Sequence, residues 1–477
     1  MSELHYLSAM SLRAKYVKGE LSPVEVFEAS AKRIDSVDDS VNAVCERMYE
    51  TAREQAVEAE RRYSGSGQSP RALEGIPVAL KEEHAIAGHL IEEGSLIEQG
   101  SISDVTHPVV QRVQAAGALT HVRTTTPEFS CAGFTHSTLW GVTRNPWNLE
   151  FSPGGSSGGS AAALAAGYAP LATGSDIGGS IRIPAGFTGT VGFKPPYGRV
   201  PGLPPFNLDT YCHDGPMART VADCALLENT INGPHPSDVV SLRPAYELPE
   251  LFESVKGLRI ALSVTLGDYV VDGEVAANTR RAADALRARG AIVDEVELPW
   301  TRESIAATTW VHFGAIFGPA IAETAAEHGD LLMPYTKEFA RRAVEAASST
   351  SFVDGLMSEG AIYEPVGQLF ERYDALLAPT FAGTGLVAGE DYVDRQLTIN
   401  GESLEYFNAF MTIPFNILSR CPVLNVPSGQ ASNGIPTGLQ IVGRTYDDVT
   451  VFRVGAAVEA ELGLASDPTW RPALQPV

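Results

Sequence analysis

The sequence predicts an α/β protein in which helices surround a central β-sheet. Short apolar segments of strand length alternate along the chain with longer segments of helical periodicity, which is typical of layered α/β folds. The chain has 477 residues, of which 44% are hydrophobic and 19% are charged, so it can bury a large core. Length alone would favour about three domains.

The first predicted elements are helical. Ser22-Pro23-Val24-Glu25 has the form of a capping box, with proline at the first helical position. A second helical segment covers about residues 46–62 and ends in a loop rich in glycine, serine and proline. We therefore expect an N-terminal helical region over about residues 1–65.

Strand and helix signals then alternate to the end of the chain. Strands are predicted at 75–81, 258–262, 421–427 and 438–443, and helices at about 274–289 and from about 447. Trp310, His312 and Phe317 lie on another helix-like stretch, at 307–332. These side chains could line an apolar pocket, but an aromatic stripe on a helix is more often core, so we expect them to pack inside.

Composition excludes several classes of function. The 35 Lys and Arg against 58 Asp and Glu give a net charge of −23, which repels polyanions, so we expect no nucleic-acid partner. The five scattered cysteines argue against a disulfide framework and a zinc site. The N-terminus lacks a secretion pattern, and no segment has about 18 uninterrupted apolar residues. We expect a cytoplasmic protein with no membrane partner, no metal and no cofactor.

Three segments of the sequence together indicate nucleophilic catalysis. The strand at 75–81 ends on Lys81, and the segments 154–160 and 176–182 are rich in glycine and serine. A lysine serves as a general base only when it is neutral, and burial disfavours its charged form. A serine becomes a good nucleophile when such a base takes its proton, directly or through a second hydroxyl. Ser156 or Ser157 could provide that second hydroxyl.

The segment at 176–182 also suits an oxyanion hole. The backbone N–H groups of Ile177, Gly178, Gly179 and Ser180 can point at one place, because the glycines lack an obstructing Cβ. We expect the charges of Asp176 and Arg182 to hold this loop. Ser157 and Ser160 are expected to make loop hydrogen bonds.

These segments closely resemble the signature of the amidase signature family. The resemblance is carried by residues 152–163, 174–185 and 192–195, and it extends to 75–78, 145–148 and 436–440. Since it spans most of the chain, it favours one domain over residues 1–477, with a signature core at about 75–200. It implies a single α/β domain, with a large, mixed, twisted sheet surrounded by helices.

The resemblance also implies a mechanism. Ser180 would be acylated, Ser156 would follow a cis peptide bond and relay the proton, and Lys81 would be the base. Ser130 would contribute backbone near the substrate carbonyl. The expected reaction is hydrolysis of a small-molecule amide, anilide or carbamate, with esters also accepted, and activity should rise toward alkaline pH as Lys81 loses its proton.

The chain departs from the family beside the lysine. Where the family commonly has Lys-Asp-Asn, this chain has Lys81-Glu82-Glu83-His84, and Glu92-Glu93 replaces a later pair of threonines. These changes leave the catalytic residues intact but alter the pocket walls. We expect Glu92 and Glu93 to lie near the entrance and to disfavour anionic substrates.

Three rival functions stay open. Gly154-Gly155-Ser156-Ser157-Gly158 also fits an α/β-hydrolase esterase, which would need a histidine such as His213 or His312. A non-catalytic binding protein on an amidase fold is the second rival. The third is one component of a transamidase for aminoacyl-tRNA, which the net charge disfavours. The choice between monomer and homodimer is also open.

Overall fold

A mixed sheet of eleven strands forms the centre of the molecule. The computed structural model describes residues 4–475, so residues 1–3 and 476–477 of the predicted single domain lie outside the described residues. The described residues form fifteen strands in all, eleven of them in this sheet. They are β1 (Val44–Arg47), β2 (Pro77–Lys81), β3 (Leu119–Thr124), β4 (His136–Ser137), β5 (Gly141–Val142), β6 (Leu171–Asp176), β7 (Val191–Lys194), β8 (His213–Ala218), β9 (Arg259–Leu262), β10 (Ile292–Glu295), β11 (Ala375–Pro379), β12 (Leu397–Ile399), β13 (Glu402–Leu404), β14 (Val423–Gln430) and β15 (Pro436–Gly443).

The central sheet has the order β1-β3-β2-β6-β8-β7-β14-β15-β11-β9-β10, while β4-β5 and β12-β13 form two separate ribbons. Parallel pairs join β3 to β2, β2 to β6, β11 to β9 and β9 to β10. The strands between β6 and β11 pair antiparallel. The predicted large mixed sheet is therefore confirmed.

Helices cover the sheet. They are α1 (Ala9–Lys18), α2 (Pro23–Val41), α3 (Tyr49–Tyr63), α4 (Pro108–Ala115), α5 (Gly158–Ala166), α6 (Arg182–Thr188), α7 (Val221–Ile231), α8 (Gly273–Ala288), α9 (Arg302–Ile316), α10 (Gly318–His328), α11 (Pro334–Ser349), α12 (Phe352–Phe370), α13 (Pro414–Ile417) and α14 (Asp448–Leu462). Apolar faces of α8 and α14 pack on the sheet, and Phe452 of α14 meets Phe193 of β7 with ring centroids 4.7 Å apart.

The N-terminal region folds as its local signals predict. Ser22 accepts a hydrogen bond from the Glu25 backbone, and the Glu25 carboxylate accepts one from the Ser22 backbone, which completes the capping box of α2. The region also contains β1, which adds an edge strand to the central sheet. The N-terminal helices are thus part of the main fold.

Helices α9 to α12 form a bundle beside the sheet. Trp310, Phe313 and Phe317, on α9 and at its end, line a large cavity. The expectation of plain core was therefore wrong for Trp310 and Phe317, because α9 and α10 bend apart there and leave the rings facing the cavity. His312 is buried, as expected.

Among residues 4–475, no single helix has both the length and the apolar composition needed to cross a membrane. The helices Arg302–Ile316 and Gly318–His328 meet that requirement only as a pair, with a bend of 63° between them.

Candidate active site

Lys81 lies at the centre of a buried polar cluster. It is the last residue of β2, and β6 runs parallel beside it, so both strands end at the same edge of the sheet. The Lys81 side chain is fully buried, and its Nζ lies 2.8 Å from Ser156 Oγ, 2.7 Å from Ser175 Oγ and 2.7 Å from Glu83 Oε2. A lysine in direct contact with Ser156 can accept the proton of that hydroxyl.

Ser156 lies in the loop that leads into α5. The peptide bond between Gly155 and Ser156 is cis, as the resemblance implies. A Cβ on Gly155 would collide with the backbone of Phe134, so only glycine fits this close approach. Ser156 is 1% exposed, and its contact with Lys81 selects it over Ser157 as the bridging hydroxyl.

The neighbouring serines have the structural role predicted for them. Ser157 Oγ accepts a hydrogen bond from the Ser175 backbone N–H and also lies 3.3 Å from the Ser175 carbonyl. Ser160 Oγ donates to the Thr173 carbonyl and bonds to Thr124 Oγ1. These contacts tie the serine loop and α5 to the strands on either side of Lys81.

Ser180 lies in the turn between β6 and α6. Gly179 has φ +123°, and a Cβ there would collide with the Thr412 side chain. Its backbone N–H donates to Asp176 Oδ1 at 2.9 Å, so it is not a free donor as the sequence suggests. In the described part of the chain, the N–H groups of Ile177, Gly178 and Ser180 have no acceptor, and these three are left to stabilise an oxyanion.

A buried ion pair holds this turn. Asp176 and Arg182 are both fully buried, and Arg182 Nη2 lies 2.8 Å from Asp176 Oδ1. Burial raises the pKa of Asp176, but the charge and hydrogen bonds of Arg182 and a hydrogen bond from Asn416 lower it far more, so the pKa lies well below its usual range. The same carboxylate accepts the N–H of Gly179 and Ile181 on either side of Ser180. The predicted structural role of this pair thus agrees with its contacts.

Two cavities meet at the serines. The larger one, of about 690 Å³, is lined by Ser180, Gly155 and many aromatic rings, including those of α9. The smaller one, of about 370 Å³, is lined by Ser156, Glu83 and Ser175. Ser130 and Ile177 border both cavities. Ser180 lines the larger cavity and Ser156 the smaller one, and their hydroxyls share no hydrogen bond in the described chain.

Ser130 borders both cavities, and its predicted backbone role near the substrate carbonyl stays a prediction. It lies in the left-handed region, with φ 55°, and its N–H donates to the Pro127 carbonyl in a tight turn. Its Oγ donates to Glu83 Oε2 at 2.7 Å. Ser130 therefore joins the polar cluster around Lys81 through its side chain.

The two glutamates expected near the entrance lie on a turn held by Glu82. The Glu82 carboxylate accepts the backbone N–H groups of Glu92 and Glu93. Glu93 borders the smaller cavity, whereas Glu92 turns away and accepts the Gly100 N–H. Burial, with the nearby charges of Glu83 and Glu82, raises the pKa of Glu93 to about 8, so it carries a proton at neutral pH.

One group of residues between 4 and 475 has the spacing of a metal site. The ligand atoms of His84, His107 and Asp214 lie within 4.8 Å of one another. The Val109 N–H donates to His107 Nδ1, which leaves the ring proton on Nε2, facing Asp214 Oδ2 at 3.4 Å. His84 Nε2 bonds to the other carboxylate oxygen at 2.9 Å. Since these atoms bond to one another, we assign no metal to the cluster.

The histidines required by an esterase have other partners. His213 Nδ1 lies 2.7 Å from the Tyr211 carbonyl, and its Nε2 lies 3.1 Å from the Ser419 carbonyl. His312 pairs with Asp209 at 2.7 Å and stacks on Tyr211. In the described chain, neither histidine bonds to Ser156. The geometry therefore offers no Ser-His pair at that serine.

Known protein sequences are similar to this chain over most of its length. A family model described as Amidase matches residues 25–452. One component of the glutamyl-tRNA(Gln) amidotransferase of Chloroflexus aggregans is 35% identical, covering 96% of this chain and 97% of that protein. An acylamidase of Rhodococcus erythropolis is 34% identical and covers 96% of each chain.

Solved structures are similar over the same extent. A bacterial aryl acylamidase of the amidase signature enzymes has a TM-score of 0.88 at 30% identity, covering 96% of this chain and 97% of that one. The 6-aminohexanoate cyclic dimer hydrolase in complex with its substrate has a TM-score of 0.78 at 28% identity, covering 98% and 99%. The similarity therefore concerns the whole fold.

Proposed function

Because the chain belongs to the amidase family and is therefore an enzyme that acts on amides, we propose that it hydrolyses small neutral amides through an acyl-enzyme on Ser180. The observation that carries this proposal is the position of Ser180. It lies at the wall of a large cavity, in a turn where three backbone N–H groups have no acceptor within residues 4–475, close to the buried pair of Lys81 and Ser156. A nucleophile, a base and oxyanion donors then meet at one place.

The proposed reaction begins at the lysine. Neutral Lys81 takes the proton of Ser156, Ser156 takes the proton of Ser180, and Ser180 Oγ attacks the substrate carbonyl. The N–H groups of Ile177, Gly178 and Ser180 stabilise the negative oxygen. When the C–N bond breaks, Ser156 gives its proton to the leaving nitrogen and takes one back from Lys81, which becomes neutral again. Water then attacks the acyl-enzyme, using the same relay in the deacylation step.

This relay requires the hydroxyls of Ser156 and Ser180 to come within hydrogen-bond distance. The two serine hydroxyls share no hydrogen bond in the described chain. We propose that a bound substrate brings Ser180 Oγ within reach of Ser156. Catalytic hydrogen bonds often tighten only in the substrate complex.

The larger cavity favours a substrate with an aromatic ring. Its volume of about 690 Å³ suits a ligand of drug size, and Trp310, Phe313, Phe317, Phe339 and Phe407 line it. We infer that anilides and other aryl-bearing amides are the preferred class. The similarity to an aryl acylamidase and an acylamidase supports this inference. Aryl carbamates and esters would meet the same nucleophile.

A transamidase role is the second candidate, since several relatives are components of amidotransferases. The net charge of −23 opposes binding of tRNA, so we propose a small-molecule substrate and no nucleic-acid partner. The five cysteines are free, which supports our placing the enzyme in the reducing cytoplasm.

A substrate panel tests the proposal. Hydrolysis of p-nitroanilides, primary amides, glutamine, esters and aryl carbamates is measured with the wild type and with Ser180→Ala, Lys81→Ala and His213→Gln. We expect the first two variants to lose at least about 1,000-fold in kcat. His213→Gln, the matched control, should retain activity. Activity that depends on His213 alone would favour the esterase, and glutamine as the best substrate would favour the transamidase.

A further inference from the structure

We propose that Glu83 is a positioning residue that acts as the counter-ion of Lys81, orienting its amine toward Ser156 and stabilising the positive charge formed during proton transfer. This inference rests on the proposed function, since it assigns a role beside the same base. It concerns a position at which this chain departs from the Lys-Asp-Asn pattern of the family it resembles.

One carboxylate oxygen of Glu83 accepts hydrogen bonds from Lys81 and from two serines beside it. Glu83 Oε2 lies 2.7 Å from Lys81 Nζ, 2.7 Å from Ser130 Oγ and 3.1 Å from Ser175 Oγ. Burial raises the pKa of Glu83, but the charges of Lys81 and His84 and the hydrogen bonds from Lys81 and Ser130 lower it to about 2. Beside a protonated Lys81, Glu83 is therefore ionised.

The three neighbours of Lys81 account for both of its protonation states. A neutral amine has two N–H groups and one lone pair. If Glu83 and Ser175 accept the two N–H groups, the lone pair points at the Ser156 hydroxyl 2.8 Å away. When the Ser156 O–H bond breaks and the third N–H bond forms, the ammonium keeps all three partners. Glu83 stays ionised and offsets the new charge.

Other titratable groups near the pair do not replace Glu83. In the described chain, neither Glu93 nor Glu82 makes a hydrogen bond or an ion pair with Lys81, whose Nζ contacts Ser156, Ser175 and Glu83. Burial raises the pKa of Glu93 to about 8 and that of Glu82 to about 7, and Glu82 faces Arg123. Burial also raises the pKa of the Cys212 thiol well above its ordinary value.

The remaining titratable groups near Glu83 are His84, His107 and Asp214, which contact one another. Burial lowers the pKa of His107 to about 4, so this ring is neutral, and Asp214 bonds to His84. In the described chain, Glu83 is thus the ionised carboxylate in direct contact with Lys81.

The counter-ion has a consequence for the pH profile. A carboxylate beside the amine favours its protonated form, which is inactive as a base. Removing that charge should increase the neutral fraction at a given pH, so activity should persist to lower pH. It should also lower the maximum rate, because the charge formed on Lys81 loses its partner.

The test is the pH dependence of kcat and kcat/KM for an anilide substrate. E83Q keeps the shape of the side chain and removes its charge, E83D keeps the charge, and E98Q removes a charge on the same loop without contacting Lys81. We expect E83Q to shift the acid limb of kcat/KM down by about 1 to 3 pH units and to lower maximal kcat about 10-fold. E83D and E98Q should keep the acid limb of the wild type.

The inference would be overturned if the acid limb of the kcat/KM profile of E83Q coincided with that of the wild type, whether kcat were reduced or unchanged. The proposed hydrolase function would still stand. The inference would also be overturned if E83D and E83Q shifted this acid limb equally, because the charge at position 83 would then have no effect on it. Absence of hydrolysis in the wild type would instead remove the proposed function itself. Thermal unfolding of each variant separates a loss of folding from a loss of rate.

Discussion

Replacing Asp176 with asparagine should both destabilise the protein and impair catalysis. The carboxylate is fully buried and accepts hydrogen bonds from Arg182, Asn416 and the N–H groups of Gly179 and Ile181. An asparagine retains one oxygen, and its NH₂ group must face donors. It also leaves Arg182 without its counter-charge, and breaking a buried pair in this way costs about 3–5 kcal/mol.

Catalysis should fall as well, because the two N–H groups flanking Ser180 lose their common acceptor. A displacement of Ser180 by about 1 Å costs on the order of 100-fold in rate. The assay is urea unfolding followed by fluorescence, together with kcat/KM for an anilide. Asp284→Asn is the matched control, since Asp284 forms an exposed ion pair with Arg287 and should change stability by less than about 0.5 kcal/mol. Equal stability and activity for the two variants would refute the reasoning.

Three further predictions concern stability. Burial lowers the pKa of His312, but a hydrogen bond to Asp209 and the nearby charge of Glu359 raise it from 6.5 to about 9. The contribution of His312 to stability is therefore complete below pH 6.5 and is lost as the pH rises through about 9. Unfolding free energy measured from pH 6 to 10 should fall by up to about 3 kcal/mol more in the wild type than in His312→Gln, and parallel curves would contradict this. Ser22→Ala removes the capping box of α2 and should cost about 1 kcal/mol in urea unfolding; no measurable loss would show that the cap is dispensable. Phe193→Ala leaves a void against Phe452 and should cost about 3–5 kcal/mol by the same measurement, whereas a cost below about 1 kcal/mol would mean that the core closes over the void.

Local signals in the sequence predicted the elements well. The capping box at Ser22 starts α2, and the apolar segment ending on Lys81 is β2. Both predictions depend on residues that are neighbours along the chain, so the sequence contains the whole signal. The edge strand β1 lies at the start of a segment predicted as helix, because its pairing with β3 is set by residues far along the chain.

The proposed catalytic residues could be identified mainly through the resemblance to the family. Lys81 and Ser156 are 75 positions apart, and no periodicity brings them together. Ser175 was missed, although it lies one residue before the end of a strand that runs parallel to β2. Parallel strands end at one edge, so a predicted β2-β6 pair would have placed Ser175 beside Lys81.

The role of Glu83 could not be derived from the sequence alone. Its departure from the family pattern was visible, but its contact with Lys81 depends on the turn that follows β2. The same turn directs Glu82 to the other side, where it accepts the N–H groups of Glu92 and Glu93. Adjacent glutamates thus have opposite surroundings, which composition and spacing do not distinguish.

The central claim is that Ser180 carries the acyl group. The most direct test mixes the enzyme with a slowly deacylating p-nitrophenyl ester, quenches the reaction with acid and locates the added mass by peptide mapping. We predict one acyl group per chain, on Ser180, and none in Ser180→Ala. Acylation of Ser156, or hydrolysis with no acylated serine at any time point, would contradict the account.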